Sequence, residues 1–373
     1  MRRVRVLLPL ILLLGGCGGG AATAQDVPFQ IQEIGRFDEP WAMTFLPGGD
    51  LLVTEKRGVL KLRRANGRVL EVSGVPQVSY GGQGGFGDVV LHPDFAHNRL
   101  VYLSWIEADA SGNRGAVVGR ARLNLSEAGA SLTDLQAIWR QQPKMDGGGH
   151  FSHRIAFGPD GKLYISSGER QHFDPAQDMG GNLGKVVRLN DDGSLPADNP
   201  FAAQGGVAAQ VWTLGHRNLL GLAFDSAGRL WETEMGPMGG DEVNLVQRGR
   251  NYGWPRASNG SHYDGRDIPD HRPGDGFEAP KVWWNPSISP SSLMIYSGAM
   301  FPEWRGDAFI GALSGESLIR VHLDGERATK ADQWPMNARI REVEQAPDGA
   351  IWLLQDGDSG GRLLRLTPRR AGS

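Results

Sequence analysis

The chain has 373 residues, 22% of them charged and 40% hydrophobic, with a formal net charge of −3. That length supports a sizeable core, and the near-neutral balance lacks the strongly basic face through which proteins hold nucleic acid. Its 54 glycines are spread along the chain and argue for many tight turns rather than long helices.

The N-terminus reads as a targeting segment. Arg2, Arg3 and Arg5 make a basic start, and Val6 to Leu14 make an apolar run interrupted only by Pro9. That run is far short of the ~20 residues that span a bilayer as a helix, and no later stretch is apolar enough to do so. Two exits compete. Leu14-Gly15-Gly16-Cys17 resembles a bacterial lipobox, whose cysteine is lipidated, and Ala22-Thr23-Ala24 resembles an ordinary cleavage site. The expectation is an exported, periplasmic protein, lipid-anchored at Cys17 or else soluble. Residues 1–24 then serve as signal and tether, and residues 25–373 as a single domain. Cys17 is the only cysteine, so the mature fold has no disulfide.

Beyond the tether, Phe29–Ile34 is a strand-like stretch that could complete the last repeat and close a ring. Six copies of one pattern follow: an apolar strand, a Pro/Asp/Gly turn, then a second apolar strand. They are Trp41–Val53, Val89–Leu103, Ile155–Ile165, Leu222–Trp231, a degenerate fifth copy at Gly298–Pro302 with Asp307–Ile310, and Val343–Leu353. Third strands recur at Gly58–Leu62, Gly184–Leu189, Ser317–Val321 and Arg362–Leu366. Pro sets φ and Gly supplies positive φ in such turns, and self-similarity at roughly 45 residues or more is the mark of a propeller. The predicted fold is an all-β six-bladed β-propeller of four-stranded antiparallel blades, with long loops between the second and fourth copies. A β-sandwich pair is the bland alternative.

Fold does not give function, so the loops must. Polar residues gather at strand starts: Gln83 within Gly81–Gly87, His150 and His153 in Gly147–Arg154, and Gly215-His216-Arg217-Asn218. Further on lie Glu234-Met235-Gly236-Pro237 with Asp241-Glu242, and Arg339-Ile340-Arg341. In a propeller these loops converge on one mouth. Asp241 and Glu242 read as turn-stabilising carboxylates rather than metal ligands, and His153 as a rim or substrate-side residue. Trp283-Trp284 fits either a core or a sugar-stacking wall.

With these tokens in this order, and with Asn251-Tyr252-Gly253-Trp254-Pro255, the chain resembles the quinoprotein aldose (glucose/sorbosone) dehydrogenases, which use pyrroloquinoline quinone (PQQ). The resemblance implies PQQ- and Ca²⁺-dependent oxidation of aldose sugars at C1 to lactones, with electrons passed to an external acceptor. It assigns His150 as general base and Glu169 as the carboxylate that orients it. By the same resemblance Gln83, Arg217, Asn218, Ser287, Arg339 and Arg341 would contact PQQ, and the carbonyls of Gly236 and Pro237 would hold calcium. Bidentate arginines suit a planar tricarboxylate, and calcium accepts carbonyl oxygens. The departures are Ser314 where the glucose branch has a lysine, Gly149 where it has an aspartate, and Ser287 for a threonine. They point to the broader aldose branch. The rival readings are a calcium-dependent lactonase, which needs an acidic cluster around a metal, and a non-catalytic binding propeller, which predicts an eroded site.

Overall fold

The computed structural model describes residues 27–357 and 360–369. The targeting segment, Cys17 included, lies outside them. Among the described residues no helix is long and apolar enough to cross a membrane.

The strands form six four-stranded antiparallel blades. Blade 1 is Pro40–Phe45, Leu51–Glu55, Val59–Arg63 and Val69–Ser73. Blade 2 is Phe86–Leu91, Leu100–Ala108, Arg114–Leu125 and Ala130–Arg140, and blade 3 is Ser152–Phe157, Leu163–Ser167, Lys185–Leu189 and Val211–Leu214. Blade 4 is Leu219–Phe224, Leu230–Glu234, Asp241–Val246 and Val282–Trp284. Blade 5 is Pro290–Ile295, Ala308–Ala312, Ser317–Asp324 and Arg327–Pro335. Blade 6 is Ile340–Gln345, Ile351–Gln355 and Gly361–Pro368, completed by Phe29–Phe37 from the start of the chain. The first-named strand of each blade packs on its counterpart in the next, and that of blade 6 packs on blade 1, so the ring closes. Phe29 pairs with Pro368 and Phe37 with Gly361, as the strand-like reading of Phe29–Ile34 anticipated. Blades 1 and 2 are also joined at their outer edges by a short parallel pairing, Val72 with Ala130 and Ser73 with Ser131.

Burial explains why the repeats read as apolar runs. Second strands such as Leu51–Glu55, Leu163–Ser167 and Ile351–Gln355 are buried at every residue, because blades stack face to face and leave them no solvent side. Among the third strands, Val59–Arg63 alternates, whereas Lys185–Leu189 and Asp241–Val246 are buried throughout. In the turn Pro159-Asp160-Gly161, Gly161 holds φ +71° and closes on the Gly158 carbonyl at 2.9 Å.

Two expectations change. The fifth repeat starts earlier than its apolar run suggested: its inner strand is Pro290–Ile295, and Gly298–Pro302 belongs to the connection that follows. That connection has no Pro-Asp-Gly turn. It is held by side chains instead, with Tyr296 Oη donating to the Gly349 carbonyl at 2.7 Å and Phe301 stacked on Trp304 at 4.2 Å. Long loops do follow the second and third strands of blade 3, but a longer one, residues 247–281, lies inside blade 4.

Every inner strand begins with a register shift: Pro40/Ala42, Phe86/Val89, Ser152/Ile155, Leu219/Gly221, Pro290/Ser292 and Ile340/Glu342. A bulge re-aims a side chain. Here bulge residues Trp41, His153, Leu220 and Arg341 line the axial mouth. Just below, Arg154 reaches all six blades. Its Nε donates to the Leu220 carbonyl at 2.7 Å and its Nη2 to the Ser291 carbonyl at 2.6 Å. Its Nη1 lies 2.5 Å from Glu342 and 3.5 Å from Asp88, and the guanidinium sits 4.1 Å from the centre of the Trp41 ring.

Candidate active site

The mouth is a cavity of about 550 Å³ on the axis. The residue just before the inner strand lines it in five blades: Glu39, Phe151, Asn218, Ser289 and Arg339. The residue just after the second strand lines it in four: Lys56, Met235, Leu313 and Asp356. Gln83 joins them from the loop before blade 2. His150 and Arg217 flank this wall, each one residue before a lining residue.

His150 and Glu169 meet. The His150 Nδ1 and a Glu169 carboxylate oxygen form a short hydrogen bond, with the two residues 5% and 1% exposed. The second Glu169 oxygen accepts the Phe173 N–H at 2.7 Å, and the His150 N–H donates to Gln83 Oε1 at 2.7 Å. Burial lowers the His150 pKa below its ordinary value, against the opposing pull of Glu169. Burial works the other way on Glu169, but its hydrogen bond with His150 and the Phe173 N–H hold its pKa below the usual carboxylate value. The dyad is therefore a neutral imidazole on a carboxylate. His150 Nε2 has no hydrogen-bond partner among the described residues, which leaves it to act as a base.

This geometry needs unusual backbone. His150, Ser152, His153, Arg170, Gln171 and Phe173 all have left-handed φ, between 49° and 66°. Such conformations cost energy and persist only where the surroundings hold them. Here the Arg170 side chain grips the Gly149 and Gly147 carbonyls, at 2.9 and 3.0 Å. Gly168 is required, since a Cβ there would lie 2.1 Å from the His150 carbonyl oxygen.

The remaining expected residues fall into three groups. Arg217 and Asn218 stand beside the dyad, 5% and 1% exposed. Arg217 Nη1 donates to the carbonyls of Met235 and Gly236 at 3.0 and 2.6 Å, while its buried Nε has no partner. Arg339 and Arg341 face the cavity and share one carboxylate, Asp356, at 2.8 and 2.9 Å. Ser287 sits to one side, where its hydroxyl accepts the Gly239 N–H at 3.0 Å; Ser289 faces the cavity in its place. Pro237 is buried behind Gly236.

Asp241 is the turn-stabilising carboxylate expected: it accepts the N–H groups of Gly236, Ile288 and Ser289 at 2.8, 2.7 and 2.7 Å. Glu242 is a buried partner of Asn244 instead. Of the two places expected for His153, the structure excludes the rim and puts it on the cavity side. It is 2% exposed, stacks on Trp41 with ring centres 4.9 Å apart, and bonds Ser104 Oγ at 2.8 Å. Burial drives its pKa down to about 3, so it forms a neutral floor to the cavity. Trp284 is core, and Trp283 lies in the outermost strand of blade 4; neither lines the mouth. Ser314 bonds Ser289 Oγ at 2.7 Å and brings no charge.

Sequence reasoning missed Lys56 and Asp356. Both follow directly after a second strand, and repeat register would have found them.

The sequence profile of the glucose/sorbosone dehydrogenase family matches residues 37–365. The chain belongs to this family. It is 39% identical to aldose sugar dehydrogenase YliI of Escherichia coli over 97% of this chain and 98% of that protein. The crystal structure of the soluble E. coli aldose sugar dehydrogenase in its apo form superposes with a TM-score of 0.87 at 39% identity, covering 91% of this chain and all of that one. The PQQ-bound aldose sugar dehydrogenase of Streptomyces coelicolor superposes at 0.76 with 30% identity, covering 91% and 98%. As a family member, the chain is homologous to enzymes that oxidise sugars, and its six-bladed ring is theirs.

Proposed function

We propose that the chain is a PQQ- and calcium-dependent dehydrogenase that oxidises aldose sugars at C1 to lactones and passes the electrons to an external acceptor. The observation that carries this is the buried His150–Glu169 dyad, with a free Nε2, at the wall of a cation-rich cavity.

The donor set fits an anionic, planar cofactor. Lys56, Arg339 and Arg341 line the cavity against the carboxylates of Glu39 and Asp356, and Arg217 adds a cation with an unpartnered buried Nε. Three lining cations against two carboxylates leave room for an anion, and guanidinium forks suit carboxylates. Arg217, Arg339 and Arg341 would hold the PQQ carboxylates, with Gln83, Asn218 and Ser289, rather than Ser287, at its polar edge. The Gly236 and Pro237 carbonyls would face calcium; a carbonyl oxygen has two lone pairs, so the Arg217 bond does not exhaust Gly236. When bound, PQQ supplies a quinone that accepts hydride, and calcium supplies Lewis acidity beside it.

The chain's own residues do the proton work. Glu169 holds the Nδ1–H tautomer, so the Nε2 lone pair takes the proton of the anomeric hydroxyl as the C1–H departs as hydride. The C1–O bond becomes a carbonyl and the sugar leaves as a lactone, two electrons poorer. Glu169 then stabilises the imidazolium until the proton passes to solvent. The basic start, apolar run and Cys17 support export with a lipid anchor, and the ring closed by Phe29–Phe37 supports residues 25–373 acting as a single propeller.

The test is to add PQQ and Ca²⁺ to the purified apoprotein and follow dye reduction by a panel of aldoses. Reduction is expected, with His150→Ala lowering turnover by about 100-fold or more while PQQ binding survives. No reduction and no change in quinone absorbance would overturn the reading.

A further inference from the structure

The cations around the axial mouth are not equally committed. Arg339 and Arg341 share Asp356, and Arg217 Nη1 donates to the Met235 and Gly236 carbonyls. Lys56 lines the same cavity, yet its ammonium makes no hydrogen bond among the described residues. The one carboxylate within 4 Å of it belongs to Glu39, at 3.7 Å, beyond hydrogen-bond reach. Glu39 has closer partners. Arg57 Nε lies 3.0 Å from its Oε2, and the Tyr80 hydroxyl donates to the same oxygen at 2.7 Å.

The backbone of Lys56 is as fixed as its head is free. Its N–H donates to the Glu39 carbonyl at 3.0 Å, and its carbonyl accepts from the Phe86 N–H at 2.8 Å, at the start of blade 2. The second bond depends on Gly85, where a Cβ would lie 2.2 Å from the Lys56 carbonyl oxygen. Blades 1 and 2 therefore hold this residue at the wall while its three N–H donors stay available.

Charge gives the position its weight. In the cavity lining, Lys56, Arg339 and Arg341 stand against Glu39 and Asp356, and His153 is neutral because burial holds its pKa at about 3. Without Lys56 the lining charges cancel. Blade 5 adds none: it contributes Ser289 and Leu313, and Ser314 is bonded to the Ser289 hydroxyl. The surplus positive charge of the cavity thus comes from blade 1, where low-dielectric walls concentrate its field on an entering anion.

We propose that Lys56 is a cofactor-binding residue, whose ammonium pairs with one PQQ carboxylate from the blade 1 side while Arg217, Arg339 and Arg341 serve the others from blades 4 and 6. This rests on the quinoprotein reading above. It makes blade 1 part of the cofactor site and gives each carboxylate of the tricarboxylate a cation.

The experiment titrates PQQ into the apoprotein with Ca²⁺ present and follows quenching of tryptophan fluorescence, so it needs no turnover. Lys56→Met should raise Kd roughly tenfold, as loss of a charge-assisted bond does, and Lys56→Arg, which keeps the charge, by less than about threefold. A role exerted only through Glu39 is separated by a double-mutant cycle. In a Glu39→Gln background Lys56 has no carboxylate to hold, and Lys56→Met should still raise Kd roughly tenfold. A loss that vanishes in that background would tie Lys56 to Glu39 and overturn the proposal. An unchanged Kd in Lys56→Met, or an equal loss in Lys56→Arg, overturns it too and leaves the quinoprotein reading standing. Wild-type protein that binds no PQQ overturns both.

Discussion

The most informative single contact is the one between His150 and Glu169. Burial alone would leave His150 a weak base, and the carboxylate on Nδ1 pushes back against that. The proposed base role requires His150 to be neutral, and its lowered pKa then predicts that kcat/KM holds from neutral pH down past 6.5 and falls only below that. Glu169→Gln keeps the burial and removes the charge that opposes it. Its plateau should drop by about 100-fold, and its acid limb should move to still lower pH. A pH–rate profile reads both effects, and a limb that stays in place would mean that Glu169 does not tune the base. Residue identity at this site was legible to the degree that it was written in motifs. His150, Arg217 and Asn218 could be picked out by their neighbours in sequence. His153 could not be placed, because a bulge turns it onto Trp41, and nothing in Ser152-His153-Arg154 announces a bulge. Nor was the filling of the Gly149 gap by Gln171 visible, since it depends on left-handed backbone in two loops at once.

At the scale of elements, the loop between the second and third strands of blade 3 carries Glu169, Gln171 and Phe173, and a lysine beneath it holds its shape. Lys185 is fully buried, and its ammonium donates to the carbonyls of Pro175, Ala176 and Leu183 at 2.8, 3.0 and 2.7 Å. The Ala176 carbonyl also accepts the Gly215 N–H at 2.9 Å, which couples this loop to the turn that presents Arg217. Lys185→Met should strip donors from buried carbonyls and destabilise the fold by about 1–3 kcal/mol, measured by urea unfolding. The pH dependence has a definite sign. Burial holds the Lys185 pKa at about 7, below its value in an unfolded chain, so between roughly pH 7 and 10 the unfolded state binds the extra proton. Wild-type stability should therefore gain on the variant as pH rises through that window; a constant gap would refute the assignment. Blade count and most strands were readable because similar turn chemistry recurs in the blades other than the fifth. The fifth blade was misplaced because its turn is built by Tyr296 and the Phe301–Trp304 stack, contacts that leave no local signature.

For the whole molecule, the question is what stops six similar blades from sliding past one another. Closure by Phe29–Phe37 secures the rim, and Arg154 secures the axis. Its charge is paid back by Glu342 and Asp88, whose own pKa values are driven up first by burial and pulled down by the guanidinium, Glu342 settling at about 7. Removing the cation leaves these buried carboxyls with no charge partner, and two blade carbonyls lose their donors. Arg154→Met should cost about 3–5 kcal/mol at pH 8, since breaking a buried pair from one side strands the other. The same variant should suffer less at pH 5. Without Arg154 the carboxyl pKa values rise further, protons then neutralise both groups, and the stranded charge disappears. Urea unfolding at the two pH values separates this from a packing loss, which would cost the same at both. Because Arg154 lies one residue beyond His153 and four beyond His150, loosening it should also slacken the cavity floor. The loss in kcat/KM should accordingly exceed the loss of folded protein at pH 8; activity per folded molecule that stays at the wild-type level would show that the axis and the site are mechanically separate.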